Sequence, residues 1–175
     1  MKERIKKCFK ELMPYIIILI VVIIIKLYVV APIRVNGPSM NDTLKNKDIM
    51  ILDEISYRFQ KIKRFDIVVI HFEDEYLIKR VIALPGETLE YRNNKLYING
   101  KYVKEDFSHK KTDDIEKIKI PNNKYFVMGD NRTNSTDSRI IGFIDRDNIR
   151  GKTSLTLYPF NRFGTKKLNN KGEHI

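Results

Sequence analysis

Ile67-Val68-Val69-Ile70-His71-Phe72 and, after a short gap, Tyr76-Leu77-Ile78-Lys79-Arg80-Val81-Ile82-Ala83-Leu84 are two runs rich in β-branched and aromatic residues. Runs of this length and composition between turn signals read as strands. Along the second, a period of two puts Leu77, Lys79 and Val81 on one face and Ile78, Arg80 and Ile82 on the other. Two adjacent cations therefore point opposite ways. A lysine flanked on its own face by Leu77 and Val81 is open to desolvation, which disfavours the ammonium and lowers its pKa toward that of a useful general base. Arg80 has no such route, because a guanidinium keeps its proton at ordinary pH. Spacing alone still gives more readily a lysine whose head reaches water.

The same pattern recurs outward from this pair. Ile33 to Asn36, Ile49 to Asp53, Thr88 to Arg92, Lys95 to Ile98, Lys101 to Val103, Lys124 to Met128 and Thr153 to Tyr158 are further strand candidates. Asn93-Asn94 and Asn99-Gly100 suit two-residue hairpins, since Asn and Gly tolerate the positive φ such turns require. The expected fold is mainly β, an antiparallel sheet domain. Lys104 to Lys119 is rich in charge and poor in apolar residues and reads as a mobile loop, and Arg162 to Ile175 as a ragged polar tail. There is no internal repeat, Gly-rich phosphate loop or metal-ligand spacing. His71 reads as a strand histidine, and His109 and His174 are too scattered for a zinc site.

Ahead of the β region, Tyr15 to Ile33 is a 19-residue run with a single charge, Lys26. At ~1.5 Å per residue it covers roughly the ~30 Å hydrocarbon layer of a bilayer. Lys2, Arg4, Lys6, Lys7 and Lys10 precede it against Glu3 and Glu11, and short basic flanks stay cytoplasmic. The expected organisation is a basic cytoplasmic stub over 1–12, a single transmembrane helix over 13–31, an extracytoplasmic β domain over 32–161 and a polar tail over 162–175. A cleaved secretory signal is the rival reading, with Val29-Val30-Ala31 as a loose processing site. Pro32 and the length of the run argue against it. Lys26 reads as a snorkelling side chain beside Tyr28. The sole cysteine, Cys8, falls in the stub, so the β domain has no thiol for a disulfide, a nucleophile or a metal. A net charge of +11 on a chain tied to a membrane suits anionic headgroups or a solvated surface, and gives nucleic acid little support.

Two polar features remain. Ser39 stands in the turn Gly37-Pro38-Ser39-Met40, shortly after the apolar run ends. Gly129-Asp130-Asn131-Arg132-Thr133-Asn134-Ser135-Thr136-Asp137-Ser138-Arg139 directly follows a strand and has no large apolar side chain. Its interleaved hydroxyls, amides, carboxylates and guanidiniums suit a hydrogen-bonded network around a buried charge.

Together these residues resemble the type I signal peptidases, membrane-bound serine endopeptidases that use a Ser-Lys dyad. The resemblance rests on the basic stub and apolar run, Val35-Asn36-Gly37-Pro38-Ser39-Met40 with Thr43-Leu44, and Arg64-Phe65-Asp66-Ile67-Val68-Val69. It continues through Lys79 to Glu87, Leu96 to Lys101, Tyr125 to Arg132, Asn134-Ser135 and Asp137-Ser138-Arg139. The compact size resembles the short, Gram-positive-like bacterial members. It implies Ser39 as nucleophile and Lys79 as general base, Ser135 orienting the lysine amine, and Asp130, Asp137 and Arg80 bracing the site. Where larger members carry a serine two residues before the nucleophile, this chain has Gly37, so the oxyanion hole falls to the backbone N–H of Ser39 and that of Gly37. Val35, Met40, Leu44, Leu77 and Ile78 are placed to line shallow pockets for small substrate residues. The implied partners are preproteins with signal peptides and membrane lipid, with no cofactor. A catalytically silent homologue serving as a membrane-anchored binding or scaffold protein is the alternative. A soluble Ser-Lys self-cleaving repressor protease is excluded by the expected anchor.

Overall fold

The computed structural model describes residues 2–28 and 31–165, with side chains over 9–22 and 31–165. A helix, α1 (Lys2–Tyr28), precedes twelve strands: β1 (Ala31–Arg34), β2 (Ile49–Asp53), β3 (Ile67–Phe72), β4 (Glu75–Ala83), β5 (Thr88–Arg92), β6 (Lys95–Ile98), β7 (Lys101–Val103), β8 (Ile115–Lys119), β9 (Lys124–Met128), β10 (Ile144–Asp145), β11 (Ile149–Tyr158) and β12 (Gly164–Thr165). Two short helices, α2 (Ser56–Phe59) and α3 (Ser138–Ile141), punctuate them. All strand pairs are antiparallel. The larger sheet runs β1-β2-β11-β3-β4-β9-β10 with β12 on β11, and the smaller runs β7-β6-β5-β8.

The opening pair of runs forms the centre of the larger sheet, with Val68 opposite Lys79 and Ile67 opposite Arg80. Val81 packs with Val68, Ile70, Val127 and the half-buried Leu77 on one side, while Ile82 packs with Leu89, Tyr91, Phe126 and Met128 in the core shared with the smaller sheet. The alternation expected of β4 therefore holds. Both predicted hairpins form, with positive φ at Asn93, Asn94, Asn99 and Gly100.

Three expectations need correction. Ala31, Pro32 and Ile33, placed at the end of the spanning run, pair with β2 as part of β1. Among the described residues no helix is long and apolar enough to cross a membrane. Part of the expected span, residues 23–30, falls outside the described side chains, as do Cys8 and Lys26. The apolar side chains described on α1, from Leu12 to Val22, are exposed.

Second, the segment Lys104 to Lys119 is not a free loop. Its end is β8, and its middle packs under the polar run: Phe107 meets the Phe65 ring edge-on, and Ser108 and Glu105 bond to Asp130 and Arg132. Third, the tail is not ragged throughout. Arg162 donates to Asp48 Oδ1 at 2.8 Å, and Gly164–Thr165 pairs with β11. Residues 166–175, His174 among them, lie outside the described part.

Candidate active site

Ser39 sits in a loop whose entry needs the positive φ of Gly37 (+89°), a conformation that costs glycine little. Met40 and Val35 anchor that loop from below, packing with Leu44, Met50 and Ile67. β4 brings up the partner: Lys79 Nζ lies 2.9 Å from Ser39 Oγ, within hydrogen-bond reach. Lys79 is only 3% exposed. Burial pulls its pKa below the ordinary lysine value, against the opposing pull of the Asp137 and Asp130 carboxylates. The head that spacing alone would send to water is held inside.

Arg80, the next residue, has the opposite surroundings. Its Nε and Nη2 make a bidentate pair with Asp130 at 2.8 and 2.7 Å, and its Nη1 donates to the Phe65 carbonyl. Its guanidinium carbon lies 4.0 Å from the centre of the Phe107 ring. Asp130, fully buried, also accepts from the Thr43 hydroxyl.

The polar run folds into a braced loop. Asp137 accepts from Gly129 N–H at 3.0 Å and pairs with Arg139, whose Nη1 reaches the Arg132 carbonyl. Burial alone would push the Asp137 carboxyl up, but the Arg139 and Gly129 hydrogen bonds hold it below the usual range. Arg132 ties the loop to β5 through Tyr91 and to the segment between β7 and β8 through Thr112 and Glu105. Gly129 is an obligatory close approach: a Cβ there would stand 2.3 Å from Ser135 Oγ and 2.5 Å from the Ser39 carbonyl oxygen.

A cleft of about 830 Å³ opens over Ser39 and Lys79, walled by Val35, Met40, Leu77, Ile78 and Ser135. Leu44 does not line it. That side chain is fully buried beneath the Ser39 loop, so it supports the cleft floor from below.

Two further expectations change. The Ser135 hydroxyl is buried and makes no hydrogen bond to Lys79 Nζ; it packs against Gly129 at the cleft wall, beside the Asp137 carboxylate that it helps hold below the usual range. The Gly37 N–H donates to Asn46 Oδ1 at 3.2 Å, which occupies one of the two expected oxyanion donors. The Ser39 N–H is the other. Sequence reasoning missed Asn46, and it missed Asn131, which donates to the carbonyls of both Ser39 and Pro38. It also missed Phe107 and Ser108. Asn131 stood inside the quoted polar run, but its partners are backbone atoms of a distant loop.

The model of the signal peptidase family, peptidase S26, matches residues 8–158. The chain belongs to this family. Signal peptidase I S of Bacillus subtilis is 40% identical over 170 residues, covering 89% of this chain and 92% of its own. Signal peptidase IB of Staphylococcus aureus is 36% identical over 179 residues, covering 88% and 93%. A crystal structure of a signal peptidase I from Enterococcus faecalis is 35% identical, with a TM-score of 0.49 over 53% of this chain and 97% of that one. The chain is accordingly a hydrolase of the signal peptidase I type, and the Ser39 and Lys79 cleft lies inside the matched region.

Proposed function

We propose that this signal peptidase is a membrane-anchored serine endopeptidase that cuts signal peptides from exported preproteins by a Ser39-Lys79 dyad. The observation that carries the reading is the 2.9 Å contact between Lys79 Nζ and Ser39 Oγ, made by a lysine that burial inclines to give up its proton. In its neutral form Lys79 accepts the Ser39 hydroxyl proton as Oγ attacks the scissile carbonyl carbon. The Ser39 N–H faces the developing oxyanion, and the proton passes from Lys79 to the leaving amine as the peptide bond breaks. Water then attacks the acyl-enzyme, giving its proton to the same amine, and that proton passes to Ser39 Oγ as the ester bond breaks, restoring the hydroxyl and the neutral base.

The cleft walls suit small residues one and three places before the cut, with Val35, Met40, Leu77 and Ile78 excluding larger ones. Asp130, Arg80 and Asp137 act by holding the polar loop in place. The basic stub and apolar run of α1 anchor the enzyme with its β domain, from Ala31 to Thr165, outside the cell membrane. The exposed apolar side chains of α1 support that placement.

The test is processing of a preprotein with an Ala-x-Ala site by membranes carrying the protein. Ser39→Ala and Lys79→Ala should each abolish it, and unchanged processing by either would overturn the dyad.

A further inference from the structure

The peptide groups on either side of Ser39 are both held by one residue. Asn131 Nδ2 donates to the Pro38 carbonyl at 3.1 Å, and Asn131 N–H donates to the Ser39 carbonyl at 3.0 Å. The Pro38 carbonyl and the Ser39 N–H are opposite ends of one planar peptide group, so a donor on the first fixes the direction of the second. A carbonyl that accepts a hydrogen bond also makes the N–H of its own peptide a better donor. The Pro38 carbonyl takes a second bond from Asn41 N–H at 3.0 Å, which reinforces the same polarity.

Asn131 is itself braced twice. The Thr133 hydroxyl donates to Asn131 Oδ1 at 3.2 Å, which turns the amide nitrogen toward Pro38. The Ser108 hydroxyl donates to the Asp130 carbonyl at 2.9 Å, and that carbonyl shares a peptide plane with the Asn131 N–H that holds Ser39. Ser108 comes from the strap between β7 and β8, whose Phe107 is clamped against Phe65 and Arg80. The strap thus reaches Ser39 through a single peptide group.

We propose that Asn131 is a positioning residue that aims the Ser39 N–H at the oxyanion, and that Ser108 holds Asn131 in register from the far side of the loop. This rests on Ser39 being the nucleophile, and it goes beyond that reading by assigning the alignment of its oxyanion donor to two residues that touch no reacting atom. The donor count at the site makes the alignment consequential, because the Gly37 N–H is engaged by Asn46.

The test compares Asn131→Asp, Ser108→Ala and Ser108→Thr with the full-length wild type on one signal-peptide substrate. Asn131→Asp keeps the shape and removes the donor to Pro38, but its carboxylate also favours the Lys79 ammonium, so kcat is compared on the high-pH plateau, where it should fall about tenfold with KM within about twofold. Ser108→Ala should lower kcat about threefold, and Ser108→Thr should restore it. A wild-type plateau kcat in Asn131→Asp would overturn the proposal, and so would a loss confined to KM. Failure of Ser108→Thr to restore the rate would remove the strap from it. Ser39→Ala in the same assay separates the two readings: activity there refutes the nucleophile, whereas an inactive Ser39→Ala beside a fully active Asn131→Asp refutes only the positioning role.

Discussion

The two sides of β4 carry adjacent cations with opposite fates. On one side Lys79 is buried beside Ser39, with Asp137 and Asp130 near enough to be felt but not bonded to it. On the other, Arg80 is saturated by Asp130, Thr43 and the Phe65 carbonyl and covered by Phe107. The chemistry of a buried cation follows from its hydrogen-bond partners more than from its depth. A fully paired guanidinium is structural, while an ammonium with one hydroxyl partner pays for its burial in proton affinity.

Exchanging the cation type on the Lys79 side should have the largest effect. Lys79→Arg keeps the charge but supplies no base, so kcat/KM should drop at least about 10³-fold while the protein remains folded; substantial activity would refute the base assignment. Next comes Gly129→Ala, whose methyl group would collide with Ser135 Oγ and the Ser39 carbonyl. Displacing Ser39 by about 1 Å should cost about 10²-fold in kcat, read by single-turnover cleavage.

On the Arg80 side the damage should fall on stability. Asp130→Asn leaves a buried guanidinium without its counter-charge, a loss of about 3 to 5 kcal/mol. Urea unfolding with an unchanged m-value would measure it. An effect under about 1 kcal/mol would mean that Thr43 and Phe65 suffice to hold Arg80.

The smallest effect is a gain. The folded-state pKa of Lys79 is depressed, so between that value and the ordinary lysine value the unfolded chain binds more protons, and stability rises with pH across this window. Lys79→Met removes the cost of the buried charge and should stabilise the inactive enzyme by about 1 kcal/mol below the folded pKa. The gain should fade as the pH climbs toward the ordinary lysine value. A variant less stable than wild type at neutral pH would show that the ammonium is better compensated than its contacts indicate.

Much of this asymmetry was legible in the sequence, since a period of two separates Lys79 from Arg80 and the polar run announces a network. What escaped was set by long-range pairing. β8 stayed hidden because Ile115 and Ile118 are three residues apart, which is not a strand period; a bulge against β5 sets them opposite Tyr91 and Leu89 all the same. Leu44 read as a pocket residue because a turn leucine near Ser39 can face either way, and only the packing of Met50 and Ile67 decides. The roles of Ser135 and Gly37 were implied by the resemblance, whereas Asn46 and the close approach at Gly129 determine what each can reach.

The central claim is that Lys79 works as a neutral base on Ser39, and the pH dependence of kcat/KM under conditions where chemistry limits the rate tests it most directly. The expected profile rises through a single deprotonation whose midpoint lies below the ordinary lysine value, and that limb is absent in Lys79→Arg. A profile flat from about pH 6 to about pH 10, or a midpoint at the ordinary lysine value, would contradict it.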